Sequence, residues 1–261
     1  MALAATLHDP TGALVRDIER GLPLLARVYR SIAVATSPPT SAGVRAALAA
    51  GGAYAGTPPS NVRGPLYRLA LRAALASGAQ RVHYLDFDRA LHWLRRPAEL
   101  RAVVRFSARH GGVLIGRTRV AHRSHQRPLY ATEEVVNRLL AERLRVRGRV
   151  DFLVPSFAVT RARGVRLLAR SRARDATVYG EWAALLAGLG PLEYVECRGL
   201  DWETPDRHRR AVRRHGLAAW RARWDTPAEW TARTTMAADI VRGFDRALAH
   251  WPVRHASVRR A

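Results

Sequence analysis

The sequence predicts an α/β fold: a mostly parallel, Rossmann-like sheet flanked by helices and followed by a helical C-terminal tail. Three observations lead there. Short apolar runs alternate with longer helical patterns through the first half of the chain, the mark of βαβ units. One of those runs, at 81–85, leads straight into the acidic triplet Asp86-Phe87-Asp88, as strands do where ligands gather at their carboxyl ends. Beyond residue 210 the pattern turns helical, with Met236, Ile240, Phe244 and Leu248 at four-residue spacing.

Taken in order, residues 2–7 form a first strand that stops at His8-Asp9-Pro10. An amphipathic helix follows over 12–29, then a second strand, 31–36, ended by Pro38-Pro39. A small-residue helix over 41–50 and a short strand at 53–56 come next. Helix 63–77 carries Leu66, Leu69 and Ala73 on one face and precedes strand 81–85. A helix near 97–109 and strand 112–115 lead to a polar loop over 117–130. Helix 131–145 turns Val136, Leu140 and Leu144 to the core. A strand at 150–154, a helix near 160–171, a short helix within 179–189 and a strand at 192–196 complete the pattern. We divide the chain into a domain over 1–210 and a helical extension over 211–261, packed on that domain or pairing with a second subunit.

At 261 residues and 48% hydrophobic, the chain can bury a sizeable core. It has no apolar run approaching the roughly 18 residues of a membrane span, and its short apolar start lacks a basic leader. A cytoplasmic protein is expected. Cys197 is the only cysteine, which excludes an internal disulfide and a cysteine-rich zinc site and reads as a small buried hydrophobe. The net charge of +23 comes from arginine alone, since the chain has no lysine. Arg-for-Lys and Ala-rich composition is what GC-rich codons produce whatever the function. The arginines are also scattered, where a nucleic-acid binder would concentrate them on one face. No specific nucleic-acid partner is therefore expected, although such a surface attracts phosphates, nucleotides and anionic membranes, where peripheral contact would be electrostatic.

The acidic triplet carries the chemistry. Two carboxylates one residue apart at a strand end suit Mg²⁺ or Mn²⁺, which take one or two carboxylates and complete their shell with water and substrate phosphates. A cation held by Asp86 and Asp88 would bridge a diphosphate and neutralise charge on a departing nucleoside diphosphate. Asp86 could instead hold ribose hydroxyls. The competing reading is a solvated loop, with Asp88 capping the helix that begins near Arg89.

The segment "VHYLDFDRALHWL" resembles the Asp-x-Asp element that ends a central strand in GT-A-fold glycosyltransferases, and "NVRGPLYRLALRAALASGAQ" resembles the helix before it. "SIAVATSPPT" and "LIGRTRVAHRSHQRPLYATEEVVNRLL" are similar to segments of bacterial members, of the family-2 and mannosylglycerate-synthase types. The resemblance covers residues 1–210 and implies a hexosyltransferase moving a sugar from a nucleotide-sugar donor to a hydroxyl acceptor.

It also implies roles at other positions. His8 and Asp9 would hold the nucleobase and ribose, or form a polar turn stopped by Pro10; Thr36 has the same standing. Arg63 would grip the diphosphate through a bidentate guanidinium, or be one of many surface arginines. Glu181 would be the base that deprotonates the acceptor, beside Trp182 as a sugar-stacking platform, or merely complement a helix N-terminus. His208 would be a further metal ligand or a solvated histidine, and Glu203 and His125 would face the acceptor. Two alternatives stand beside this reading: a basic nucleic-acid or anionic-surface binder on an α/β scaffold, and a nucleotidyltransferase. The latter usually has a Gly-rich loop after its first strand, where "LHDPTGALVRD" holds one glycine.

Overall fold

The structure, a computed structural model, describes residues 1–153, 155–253 and 256–260. Eight strands form one sheet: β1 (Ala2–Leu7), β2 (Ser31–Thr36), β3 (Tyr54–Gly56), β4 (Arg81–Asp86), β5 (Gly112–Arg117), β6 (Phe157–Thr160), β7 (Leu192–Cys197) and β8 (Val258–Arg260). Their order is β3-β2-β1-β4-β6-β5-β7-β8, and among the described residues only β6 runs against its neighbours. The carboxyl ends of β1, β2, β4 and β5 thus share one edge, while β6 begins there.

Alternation along each strand builds two cores. Leu3, Ala5 and Leu7 join Val113 and Ile115 on one face, covered by α1 (Val15–Ala26), α2 (Ala42–Ala50), α4 (Phe87–Trp93) and α5 (Pro97–Ser107). Val82, Tyr84, Phe157 and Val159 point to the other face, covered by α3 (Arg63–Ala76), α7 (Arg127–Arg143), α8 (Arg161–Arg170), α9 (Thr177–Gly188) and α12 (Pro227–His250). Three short helices, α6 (Arg119–Ser124), α10 (Arg209–His215) and α11 (Leu217–Ala222), and a 3₁₀ turn at Thr204–His208 edge the sheet's carboxyl side.

α12 lies on α9 at backbone contact. A Cβ added at Gly180 would sit 1.8 Å from the Ile240 carbonyl oxygen, and one at Gly243 2.0 Å from that of Thr177. Glycine is needed on both sides of that crossing. Ile240 and Phe244 bury there, with Met236 and Leu248 alongside. The tail returns to the sheet as β8, parallel to β7.

Four expectations need correction. The first helix starts at Val15, not 12, because Asp9 and Gly12 (φ +72°) build a turn first. Residues 117–130 are not a loop: Thr118 caps α6 through the Ala121 N–H, and α7 already begins at Arg127. Residues 150–153 are irregular and Val154 lies outside the described residues; the strand is 157–160, where Phe157 and Val159 alternate with Ala158. The helix expected within 179–189 is longer, Thr177–Gly188.

Candidate active site

Parallel register sets Thr6 of β1 beside Asp86 of β4, and the Thr6 hydroxyl donates to Asp86 Oδ1 at 2.9 Å. Asp86 is the N-cap of α4, and Asp88 stands in that helix's first turn. Asp88 Oδ1 accepts the Arg89 N–H at 2.9 Å, so the helix begins two residues earlier than a cap at Asp88 would place it. Both carboxylates line a cleft of about 620 Å³ at the carboxyl edge of the sheet, between the ends of β1 and β4. His8, Ser37, Arg63, Tyr179, Glu203 and Arg207 line the same cleft.

The electrostatics of the cleft are tight. Burial pushes the Asp86 carboxyl up to about 7, against the pull of Arg89, whose Nε lies 3.6 Å from Asp86 Oδ2. Burial also raises Asp88, opposed by the Arg207 guanidinium paired to its Oδ2. Glu203 behaves in the opposite way: burial raises its carboxyl, but Arg89 and His125 outweigh that and hold it well below the usual carboxylate range. Arg89 Nε is 4.0 Å and His125 Nε2 3.7 Å from Glu203 Oε2. Among the described residues, Arg89 Nε and Nη1, His125 Nε2, Glu203 Oε2 and Arg207 Nε are buried without a hydrogen-bond partner. Such a concentration of unsatisfied polar atoms is costly in a core and common where a polar ligand binds.

The structure brings together His8, Arg63, Asp86, Asp88 and Glu203 as lining residues, with His125 directly behind Glu203. His8 Nδ1 bonds the Ser37 hydroxyl at 2.7 Å. Arg63, first residue of α3, lies over the Tyr179 ring at 6.0 Å.

Other candidates stand elsewhere. Asp9 is 1% exposed and its oxygens accept from Thr11 Oγ1, Ala13 N and Leu14 N, so it folds the turn into α1, as the polar-turn reading has it. Thr36 is buried and bonds Thr57 at 2.7 Å. Glu181 does not open a helix: it is the fifth residue of α9, and it accepts from Ser171 Oγ, Arg172 N and Ala173 N at 2.6–2.9 Å. It fastens the 171–173 loop and lines a different cavity. Trp182 is 4% exposed, packed on Tyr67, Tyr84 and Phe157, and cannot present a face to a sugar. His208 is exposed and lies outside the cleft, its ring tilted against that of Trp220 at a centroid distance of 5.2 Å. Among the described residues, no group of three or more histidine, cysteine, aspartate or glutamate side chains is assembled to hold a metal.

Sequence reasoning missed Arg207, which donates to the His8 carbonyl at 2.6 Å and pairs with Asp88. It also missed Arg89, the counter-charge shared by Asp86 and Glu203. Arg89 directly follows the triplet, and that adjacency was the one available signal; nothing distinguishes Arg207 among 44 basic residues. The loop that carries Glu203 is anchored by His92, whose two ring nitrogens meet Asp201 at 2.8 Å and Asp206 at 2.7 Å.

The sheet order, the reversed β6 and the acidic strand end define a GT-A-type fold, as the sequence predicts. The chain is similar to the crystal structure of M. tuberculosis glucosyl-3-phosphoglycerate synthase, with TM-score 0.51 and 19% sequence identity over 97% of this chain and 80% of that one. No protein-family model and no curated protein sequence matches the chain. No helix among the described residues is long and apolar enough to cross a membrane.

Proposed function

We propose that the chain is a glycosyltransferase that moves a sugar from a nucleoside-diphosphate sugar to a hydroxyl acceptor with the help of Mg²⁺ or Mn²⁺. The observation that carries this reading is the opening of Asp86 and Asp88 into a 620 Å³ cleft at the strand ends, with Arg63 and Arg207 on the same walls. A fold shared with a glucosyl-3-phosphoglycerate synthase supports it.

The donor set fits a hard cation that borrows ligands from its substrate. The chain offers two carboxylates, one of them, Asp86, pushed to about 7 by burial, a burden that a nearby cation relieves. Mg²⁺ asks for no more than one or two carboxylates when phosphates and waters supply the rest. The chemistry such a cation supplies when bound is neutralisation of charge growing on the leaving diphosphate. His208, outside the cleft, is not part of this set.

The chain's own residues do the remainder. Arg63 and Arg207 meet phosphate oxygens with planar guanidinium forks. His8 and Ser37, at the ends of β1 and β2, face the nucleoside end of the donor. Glu203 orients the acceptor hydroxyl. Its lowered pKa makes it a weak base but keeps it ionised, so it accepts the acceptor's O–H throughout the neutral range. Asp9, Thr36, Glu181 and Trp182 stand outside the cleft lining and hold the surrounding turns and loops through hydrogen bonds.

The nucleic-acid reading gains nothing from this fold. The test is calorimetric titration with nucleoside diphosphates, with and without Mn²⁺, followed by a sugar-nucleotide hydrolysis assay. Metal-dependent binding is the expected result; metal-independent binding, or duplex binding that collapses with added salt in its place, sinks the proposal.

A further inference from the structure

A second cavity, of about 490 Å³, lies on the far side of the 171–175 loop, between α9 and the end of α12. Arg170, Arg172, Arg174 and Arg246 converge on it with His250. Its two carboxylates are engaged elsewhere: Asp175 accepts from Thr177 N and Oγ1 at 2.9 and 2.6 Å, and Glu181 is tied to the 171–173 loop. None of the four arginines makes an ion pair with a carboxylate among the described residues. Arginines elsewhere on α12 and α7 do find partners, as in Arg233–Glu229, Arg242–Asp239 and Arg143–Asp245.

That contrast separates the cluster from the chain's general arginine excess. Four guanidinium groups face only two carboxylates, neither of them ion-paired to an arginine of the cluster, so the cavity keeps a positive excess that an anion relieves. The floor is apolar, made by Leu185, Gly243 and Ala247, and the Trp251 ring carries Arg170 at 4.3 Å from its centroid. Arginine over an aromatic face keeps a planar fork presented edge-on, the geometry that recognises phosphate.

We infer that this cavity binds a phosphomonoester with a compact apolar body, as a second ligand site separate from the cleft. The dianion sits among Arg170, Arg172, Arg174 and Arg246, and the apolar portion rests on Leu185 and Trp251. The two cavities share one wall. Asp175 lines both, and the Arg174 carbonyl accepts the Gly64 N–H at 2.8 Å, next to Arg63. The inference goes beyond the proposed activity and survives its failure, because none of the residues assigned to the phosphate or to its apolar body lines the cleft.

The probe is phenyl phosphate, titrated calorimetrically into the full chain. Arg170→Gln/Arg246→Gln removes two cationic walls contributed by α8 and α12. Arg213→Gln/Arg214→Gln on α10 removes the same charge from residues that line neither cavity, and circular-dichroism melts establish that both variants fold. Phenyl phosphate is expected to bind the cavity variant at least tenfold more weakly than wild type and the α10 variant within twofold. Equal weakening in both, or in neither, overturns the inference. Vesicles of phosphatidic acid in phosphatidylcholine form a second arm. If they show the same variant pattern while phenyl phosphate does not bind, the phosphate comes from a lipid headgroup; if phenyl phosphate alone shows it, the phosphate comes from a free ester. If neither probe binds wild type, the inference fails.

Discussion

Arg207 holds the Asp88 carboxylate with one guanidinium nitrogen and the His8 carbonyl with another, joining the end of β1 to the first turn of α4 across the mouth of the cleft. One arginine from a late loop thus counter-charges the aspartate proposed to meet a cation. On the proposed reading, a cation would compete with Arg207 for the Asp88 oxygen that the guanidinium now holds.

If so, Arg207→Gln should bind Mn²⁺ several-fold more tightly in the absence of nucleotide, and nucleoside diphosphate more weakly, since a phosphate contact is lost. Calorimetry of the two ligands separately reads both effects. Unchanged affinities for both would remove Arg207 from the site.

Asp88→Asn should abolish metal-dependent nucleoside-diphosphate binding and leave the melting temperature within a few degrees of wild type, because Asp88 is only partly buried and takes part in no core packing. Retained metal-dependent binding would refute the assignment of the triplet.

Glu203 and Glu181 are separated by a pair of variants. Glu203→Gln should lower kcat of the folded protein by about 100-fold or more, and it should also lose stability because it takes a counter-charge from buried Arg89. Glu181→Gln should cost roughly 2 kcal/mol, measured by urea unfolding, because it weakens three hydrogen bonds to the 171–173 loop while kcat of the folded protein stays near wild type. The reverse pattern would restore Glu181 as the base.

His92 predicts a pH dependence. Burial lowers its pKa, but Asp201 and Asp206 outweigh that and raise it to about 9 from the ordinary 6.5. A raised histidine contributes fully below its unfolded pKa and loses that contribution as pH climbs through its folded one. Wild type should therefore exceed His92→Gln in unfolding free energy by about 2 kcal/mol near pH 6.5, and the gap should close by roughly pH 10. A gap that widens with pH would show the imidazole to be neutral in the fold.

Gly64→Ala probes the wall shared by the two cavities. A Cβ there would lie 1.9 Å from the Ala173 carbonyl oxygen, so backbone must move. A loss of about 2–3 kcal/mol is expected on denaturant unfolding, with weaker nucleotide binding through the displaced Arg63. An alanine variant as stable as wild type would mean that the contact between α3 and the loop is slack.

The fold was legible in the chain because it rests on periodicity. Strands β1, β2, β4, β5 and β7 read directly, as did the stripe Val136, Leu140, Leu144 on α7, since burial on one face or on two leaves a local pattern. β6 was misplaced because it is only four residues long and sits beside an irregular apolar stretch, 150–153, that carries the same residue types. The strand-end position of Asp86 and Asp88 was also legible, because it depends on one apolar run and the residues that stop it.

Roles that depend on neighbours far along the chain were not legible. Glu181 and Trp182 have the composition of a sugar site, yet one is consumed by the 171–173 loop and the other by an aromatic core. Arg207 lies 119 residues from Asp88 and meets it only because the 203–208 turn is pinned over α4 by His92. Local sequence determined which backbone segments extend, coil and end, for those choices are set by side-chain spacing over a few residues. Which charges face each other was decided by tertiary structure alone, because an ion pair depends on distance in space and scattered arginines look alike in the chain.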